Sequence, residues 1–505
     1  MKNKVLLLIL SVFLFIGIVN VSAISVGSET GTTDTESKII TDTATLSITG
    51  VVSGDQFMAY KILDAFYNET TNVITYEFTD DFQNFLKQSS DSIYQKLKVD
   101  DLYSYSSGDI STGSTLSNSD IDRLASAYAG YIKSHSINGT AMNVSDTTAS
   151  ATLQAGSYLV LPTATTRIYA VMVGNLDFSA SGNDWVINNE EIVAKVSDAD
   201  VSLSVGEEGY DSGSYSIGDD IPFIINSSVP QYPTNATNKI YTITNTLSDG
   251  LDFTGVSSVV IKDGDVTLTT AGDGKVTNAS GEEVAVISIE NRVMTITFNA
   301  NYVDSTTITV NYIARLNTNA GLGVNGENTS SVNLTYSNDP YGTGTTATVP
   351  SKGDGLVNVL LYGLEIYKYA TEGNSPLEGA EFTIYKDVEL EQVIDVITTN
   401  ESGIVQYKGL AAGTYYIKET KAPTGYRLNN SVISAKIGPG EGSLANAETE
   451  GYYRLEVANE KAGLLPVTGG LGTIIITLMG LVIVASAIYF FFIYRKKREK
   501  QEGQA

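Results

Sequence analysis

Apolar and polar residues alternate with a period of two along much of this chain. Ala44, Leu46 and Ile48 alternate with threonine and serine, and the same alternation of β-branched and aromatic residues with polar ones recurs over 241–244, 294–298 and 307–312. Asp-Gly, Asn-Gly and Ser-Gly pairs, which favour tight turns, stand between such runs. The pattern predicts an all-β chain of tandem β-sandwiches.

Two segments before residue 197 follow the period of an amphipathic helix instead. We predict one small helix over Phe82, Phe85, Leu86, Ile93 and Leu97, and a second over Ile121, Leu124, Ala125, Tyr128, Tyr131 and Ile132. Ser119 or Asp120 is the expected N-cap of the second helix. We expect both helices to cover a sheet face or edge.

Both ends of the chain carry export signals. Lys2 and Lys4 precede the apolar stretch Val5–Val19, and Ala23 ends a small-residue site, which predicts a secretory signal peptide cleaved after Ala23 rather than an N-terminal membrane anchor. Near the other end, residues 471–494 form an apolar run long enough to span a bilayer. The basic cluster at 495–498 that follows is expected to stay on the cytoplasmic side.

The segment before this predicted span reads Leu465, Pro466, Val467, Thr468, Gly469. Followed by a span and a basic tail, it resembles the LPxTG sorting signal of proteins that sortases anchor in Gram-positive bacteria. The resemblance implies that a sortase cysteine attacks the carbonyl of Thr468 and that an amine resolves the acyl-enzyme. The alternative is an ordinary single-pass membrane protein with a chance LPVTG loop.

Composition excludes several classes of function. The chain has 57 acidic and 31 basic residues and a net charge of −26, so we expect no binding to nucleic acid. It has no cysteine and a single histidine, His135. Disulfides, cysteine–histidine catalysis and cysteine-rich zinc sites are therefore excluded, and we expect no metal, no cofactor and no enzymatic turnover.

Composition shifts divide the chain into five predicted parts. They are a signal peptide (1–23), a first domain (24–196), a middle domain (197–352), a third domain (353–461) and a sorting segment with the transmembrane helix and basic tail (462–505).

The third domain carries a second resemblance. A first strand reads Leu364–Lys368, the segment Glu419–Tyr426 reads ETKAPTGY, and the last strand ends on Asn459. These motifs resemble the CnaB-type domain of collagen adhesins, an Ig-like sandwich. The resemblance implies an intramolecular isopeptide bond with Lys368 as nucleophile, Asn459 as electrophile and Glu419 as catalytic proton relay. The alternative is a surface pair of Lys368 and Glu419 beside a strand-end asparagine.

The middle domain resembles the CnaA-like second domain of major pilins over 217–253, with a closing strand at 336–340. Asn245 stands where that family has an aspartate, and the opening strand Val201–Val205 lacks its lysine. Asn338 is the candidate surviving partner. We predict no isopeptide bond in this domain.

The junction of the first two domains holds a candidate amine donor. Trp185, the single tryptophan, is followed ten residues later by Lys195 in the sequence Ile-Val-Ala-Lys. This arrangement resembles, imperfectly, the tryptophan-spacer-VYPK motif of major pilins. The resemblance implies that Lys195 of one copy joins Thr468 of another, and the alternative is an ordinary strand-end lysine.

Together these resemblances predict a Gram-positive pilus backbone subunit at the cell surface. Its implied partners are a class C sortase for polymerisation, a housekeeping sortase for attachment to peptidoglycan, other copies of the chain and ancillary pilins. The alternative is a wall-anchored adhesin or ancillary pilin that binds a host ligand without polymerising. The absence of cysteine excludes the thioester domains of some tip adhesins.

Overall fold

The structure is a computed structural model. It describes residues 24–31, 36–91, 94, 97–98, 104–106, 109–111, 117–165, 167–182, 184–197, 199–233, 236–341, 346–350, 355–439, 451–463 and 473–502.

The described part of residues 24–197 contains strands and two α-helices. The strands are β1 (Val26–Thr30), β2 (Lys38–Ile40), β3 (Thr43–Thr49), β4 (Gln56–Asn68), β5 (Val73–Phe78), β6 (Ser104–Ser106), β7 (Asp109–Ser111), β8 (Thr140–Ala141), β9 (Asn143–Ser145), β10 (Thr148–Gln154), β11 (Gly156–Ala164), β12 (Ile168–Tyr169), β13 (Met172–Leu176), β14 (Phe178–Ser181), β15 (Asp184–Ile187), β16 (Glu190–Val193) and β17 (Val196–Ser197). The helices are α1 (Asp80–Gln88) and α2 (Asn118–His135).

The sheets of this region enclose two apolar cores. The largest sheet has the order β1-β2-β4-β11-β13, and a second sheet has the order β16-β3-β10-β9. In β3, Ala44, Leu46 and Ile48 are buried, as the alternation predicts, and they join a core between the sheets. The other core, called the helical core below, lies under the helices, where Tyr128 of α2 packs edge-on against Phe82 of α1. The helices therefore cover a sheet face, as expected.

Both helices differ in length from the sequence prediction. Helix α1 ends at Gln88 with Ser89 as its C-cap, so Leu97 lies outside it. The N-cap of helix α2 is Ser117, which lies two residues before Ser119 and three before Asp120, the two predicted caps. The Ser117 hydroxyl accepts from the backbone N–H of Asp120 and donates to its carboxylate. Asp120 therefore lies in the first turn as the partner of the cap.

Residues 201–360 form a two-sheet sandwich with an apolar interior. Its strands are β18 (Val201–Val205), β19 (Ser212–Ser214), β20 (Asp220–Ser228), β21 (Tyr241–Leu247), β22 (Leu251–Phe253), β23 (Val260–Asp263), β24 (Val266–Thr267), β25 (Thr269–Thr270), β26 (Lys275–Thr277), β27 (Glu283–Glu290), β28 (Val293–Phe298), β29 (Thr307–Leu316), β30 (Thr329–Ser337), β31 (Thr346–Pro350) and β32 (Leu356–Leu360), with a short 3-10 helix at Val256–Ser258.

One sheet of this sandwich has the order β18-β20-β29-β23-β24, and the other includes the order β32-β30-β21-β28-β27-β26-β25. The three runs predicted as strands from their alternation all lie in them, in β21, β28 and β29. Their inward side chains, among them Ile243, Ile296 and Val310, are fully buried.

The last region is a smaller two-sheet sandwich followed by a long helix. Its elements are β33 (Tyr362–Ala370), β34 (Glu381–Tyr385), β35 (Val393–Thr398), β36 (Ile404–Leu410), β37 (Gly413–Lys421), β38 (Val432–Ile437), β39 (Tyr452–Asn459) and the helix α3 (Thr473–Glu502). The sheets have the orders β36-β33-β39 and β35-β34-β37-β38. A core that includes Leu364, Ile366, Phe382 and Ile417 fills the space between them.

The described residues divide into two compact units. Those of 1–213, 217–320 and 327–359 form one unit, and those of 214–216, 321–326 and 360–505 form the other. The predicted first and middle domains therefore share a unit. Tyr341, which follows the closing strand β30, is buried in the helical core of the first region. The division into three domains stays a prediction.

Candidate crosslinking site

Lys368 and Asn459 lie on neighbouring parallel strands, β33 and β39. Alternate residues of β33 point inward, and Lys368 continues the series that begins with Leu364 and Ile366. The strand period therefore places the lysine in the core rather than on the surface. Its side chain is fully buried, with 0% of its surface exposed.

Glu419 comes from the facing sheet. On β37 the inward residues are Tyr415, Ile417 and Glu419, and Glu419 is 2% exposed. Asn459, the last residue of β39, is also 2% exposed. The structure thus brings together the three residues that the CnaB resemblance implies, inside the sandwich.

The three polar groups contact one another directly. The Nζ atom of Lys368 donates to Oδ1 of Asn459 at 2.5 Å and lies 3.4 Å from Oε1 of Glu419. The Asn459 amide donates from Nδ2 to both oxygens of Glu419, at 2.8 and 3.0 Å. The amide nitrogen therefore faces the carboxyl group, and the amide oxygen faces the amine.

Burial controls the charge of the amine. The loss of hydration lowers the pKa of Lys368 from its usual value of 10.5, and the neighbouring Glu419 carboxylate partly opposes this shift. Nζ also donates to the carbonyl of Val457 at 3.2 Å and lies 5.8 Å from the centre of the Phe382 ring. A lowered pKa makes the uncharged, nucleophilic amine more accessible.

The middle sandwich has a different buried polar cluster. Asn245 is fully buried, and its Nδ2 donates to Ser330 Oγ and to the Ser331 carbonyl, both at 2.8 Å. The hydroxyl of Tyr312 lies 3.0 Å from Ser330 Oγ. Sequence reasoning missed Ser330 and Tyr312, since a strand serine and a strand tyrosine carry no motif.

No lysine of the middle region is among the buried residues that the structure describes. In the opening strand β18, which lacks the lysine of the CnaA-like family, Leu203 is buried. Asn338 lies beyond the end of β30, where its amide donates to the Thr165 carbonyl. These observations favour the absence of an isopeptide bond in the middle domain, which stays a prediction.

The residues implied in joining one copy to another are only partly described. Trp185 is buried in the helical core and lies in β15, and Lys195 is exposed between β16 and β17. Ala23 and the pentapeptide Leu465–Gly469 lie outside the described residues. Helix α3 contains a segment of 25 residues, Ile474–Arg498, that reaches a mean hydropathy of 2.6 and could cross a membrane by length and composition.

Comparison with known families identifies the domain that holds the buried cluster. Residues 363–450 match the SpaA family, described as a prealbumin-like fold domain. The two-sheet sandwich that contains this match is called the SpaA domain below, after the family that it resembles. The expectation of a CnaB-type domain fits this family. The match includes Lys368 and Glu419 and stops before Asn459, so the last strand of the SpaA domain comes from the structure.

A curated surface protein is similar to part of the chain. The trypsin-resistant surface T6 protein of Streptococcus pyogenes serotype M6 is 29% identical over 223 residues, which is 42% of this chain and 41% of that protein. The chain thus spans less than half the length of this curated relative.

Solved pilin structures share the fold over most of the chain. The T6 backbone pilin of serotype M6 S. pyogenes, which has a modular three-domain structure, aligns over 84% of this chain and 99% of its own with a TM-score of 0.62 and 20% identity. The full-length major pilin SpaD of Corynebacterium diphtheriae aligns over 84% and 98% with a TM-score of 0.50 and 14% identity. The predicted all-β fold of tandem Ig-like sandwiches, and the resemblance to Gram-positive major pilins, are confirmed.

Proposed function

We propose that this chain is the backbone subunit of a sortase-assembled pilus on the cell surface. The observation that carries the proposal is the buried contact of Lys368, Asn459 and Glu419 within a chain that has the fold of backbone and major pilins. Such a subunit needs to resist unfolding outside the cell, and this chain has no cysteine with which to form a disulfide.

The buried cluster supports a self-reaction that forms one isopeptide bond. Glu419 takes a proton from the Lys368 ammonium, and the freed electron pair on Nζ attacks Cγ of Asn459. The Nζ–Cγ bond forms, the Cγ–Nδ2 bond breaks, and a proton from Nζ passes through Glu419 to Nδ2, so that ammonia leaves. A neutral amide and a neutral acid replace a buried ion pair, whose desolvation is costly. Folding supplies the effective concentration of the reactants.

Glu419 acts once and on its own chain, so the reaction is maturation rather than enzymatic turnover. The bond closes a loop across 91 positions and ties β33 to β39. A pulling force applied to the ends of the SpaA domain would then pass through one covalent bond instead of separating the strands.

The link between copies uses a separate pair of residues. A class C sortase would cleave after Thr468 and transfer its carbonyl to the ε-amine of Lys195 in the next copy, and a housekeeping sortase would join the finished polymer to peptidoglycan. The exposure of Lys195 supports this role, since the donor needs to enter a sortase active site. Ancillary pilins, and through them a host surface, would be further partners.

A Lys195→Arg variant, expressed in a host with the matching sortases, tests the intersubunit link. We expect the wild type to give a ladder of high-mass species on denaturing gels and a branched peptide that joins the Thr468 carbonyl to Lys195. Lys195→Arg should give single copies, whereas Lys386→Arg, which changes another exposed lysine, should polymerise normally. A full ladder from Lys195→Arg would remove Lys195 from this role. Single copies from the wild type would favour the non-polymerising adhesin.

A further inference from the structure

The chain turns back on itself just after Glu419. The backbone N–H of Tyr426 donates to the Pro423 carbonyl at 3.0 Å, which closes a four-residue turn. Gly425, the third residue of this turn, has a φ of +88°, as a type II turn requires. The PTGY part of the motif therefore directs the following residues back toward the buried cluster.

The returning segment pairs with the chain beyond Asn459. Arg427 N–H donates to the Glu460 carbonyl at 2.9 Å, and Ala462 N–H donates to the Gly425 carbonyl at 2.9 Å. Tyr426 and Lys461 form an antiparallel bridge. The residue directly after the electrophile Asn459 is thus held by backbone bonds to the segment that follows the motif.

The same segment also contacts Glu419. The backbone N–H of Asn429 donates to Oε2 of Glu419 at 2.6 Å. The side chain of Asn429 is engaged elsewhere, because its Oδ1 accepts from the backbone N–H of Ser431 at 3.0 Å. The contact with Glu419 therefore belongs to the backbone of Asn429.

We propose that the backbone N–H of Asn429 is a positioning group for the isopeptide reaction. It holds Oε2 of Glu419, so that Oε1 lies between Nζ of Lys368, at 3.4 Å, and Nδ2 of Asn459, at 2.8 Å. Oε1 is the oxygen that can take a proton from the amine and pass one to the leaving nitrogen. This inference rests on the proposed self-reaction.

The chemical argument is the geometry of a buried carboxylate. A hydrogen bond from an N–H to an ionised oxygen is short and stronger than a neutral one. Without it, the carboxyl group could turn about its last torsion, which has a broad energy well. Its oxygens would then leave the line between Nζ and Nδ2. Glu419 would keep its burial and lose its orientation.

Timed synthesis of the full-length chain in a cell-free system with nanodiscs tests the inference. The rate at which the intact chain loses one ammonia is measured for the wild type, Asn429→Pro and Asn429→Ala. Asn429→Pro removes the N–H, whereas Asn429→Ala removes only the side chain and is the matched control. We expect Asn429→Pro to slow the reaction about tenfold to a hundredfold, and Asn429→Ala to react at the wild-type rate.

Two further readouts separate positioning from misfolding. Replacing the residue-429 amide of Asn429→Ala with an ester, through the α-hydroxy acid analogue of alanine, removes the N–H without adding a ring and should slow the reaction similarly. The final yield of crosslinked chain should stay at the wild-type level while the rate falls. A folding defect alone would lower the yield.

The outcomes distinguish this inference from the function on which it rests. If the wild-type chain and both chains that lack the residue-429 N–H crosslink equally fast, the role of Asn429 is overturned. The self-reaction itself would then still stand. A slow Asn429→Ala chain would assign the effect to the side chain and would also overturn it. A wild-type chain that never loses ammonia would overturn the self-reaction itself.

Discussion

Lys368 and Asn459 face each other diagonally across two parallel strands, since Asn459 pairs with Ala370, two residues beyond Lys368. Residues two positions apart on a strand share a face, so both side chains point into the same core. The proposed covalent bond between them would join the first and last strands of the SpaA domain. The chain between the two residues would then form one closed loop.

Loss of the electrophile should weaken the domain markedly. We expect Asn459→Ala to lower the free energy of unfolding by about 4–5 kcal/mol, because the unfolded chain regains the freedom that a loop closed over this length removes. Denaturant unfolding of the full chain, followed by a probe in the SpaA domain, measures this change. Asn430→Ala, which changes an exposed asparagine of the same domain, is the control and should alter stability by less than about 0.5 kcal/mol. Equal stability of the two variants would argue against the bond.

The amine that fails to react should leave a signature in pH. In Asn459→Ala, Lys368 stays an amine whose folded-state pKa is lowered by burial, against 10.5 in the unfolded chain. Between those two values the unfolded state binds more protons, so stability rises with pH, and below the lowered pKa the Lys368 contribution is constant. We expect this rise to disappear in Asn459→Ala/Lys368→Met and to be absent in the crosslinked wild type. Parallel stability–pH curves for the single and double variants would contradict the burial of an amine.

The carboxyl group of Glu190, in the first region, should make the stability of the folded chain depend on pH in the opposite direction. Burial, with a smaller contribution from Asp177, raises the pKa of Glu190 from 4.5 to about 7. Between these values the unfolded chain ionises while the folded chain keeps its proton, so the contribution to stability falls as pH rises. We expect Glu190→Gln to raise the melting temperature at pH 8 relative to the wild type and to leave it unchanged near pH 4. Glu191→Gln, at the next and exposed position of β16, should show no such difference.

The segment after β30 should hold the first and middle regions together. Tyr341 is buried in the helical core, its hydroxyl donates to Ser126 Oγ at 2.9 Å, and Lys133 pairs with Asp339 at 2.9 Å. We expect Tyr341→Ala to cost about 3–5 kcal/mol through the cavity it leaves, and Tyr341→Phe about 1 kcal/mol through the lost hydrogen bond. Tyr302→Ala, at a 37% exposed position, is the control. Denaturant unfolding that showed no difference between Tyr341→Ala and this control would contradict the proposed connection.

The sequence indicates the three buried polar residues of the SpaA domain better than the groups that contact them. Strand alternation and the ETKAPTGY motif point to Lys368, Glu419 and Asn459, which the structure buries in mutual contact, because a period of two determines which side chains face inward. The Asn429 N–H could not be found this way, since every residue except proline has one. Tyr341 was also missed, since its contact with Ser126 joins residues 215 positions apart. The cap of α2 was misplaced because serine and aspartate are common both at the cap and in the first turn.

The mass of the SpaA domain tests the central claim most directly. The processed full-length chain is measured intact and then digested, and fragment spectra are searched for a branched peptide that contains Lys368 and Asn459. We predict that the wild-type mass is lower by one ammonia than the sequence requires and that the branched peptide is found. The variants Lys368→Ala and Glu419→Ala should have the full mass that their sequences require. A wild-type chain with the full sequence mass and two separate linear peptides would contradict the account.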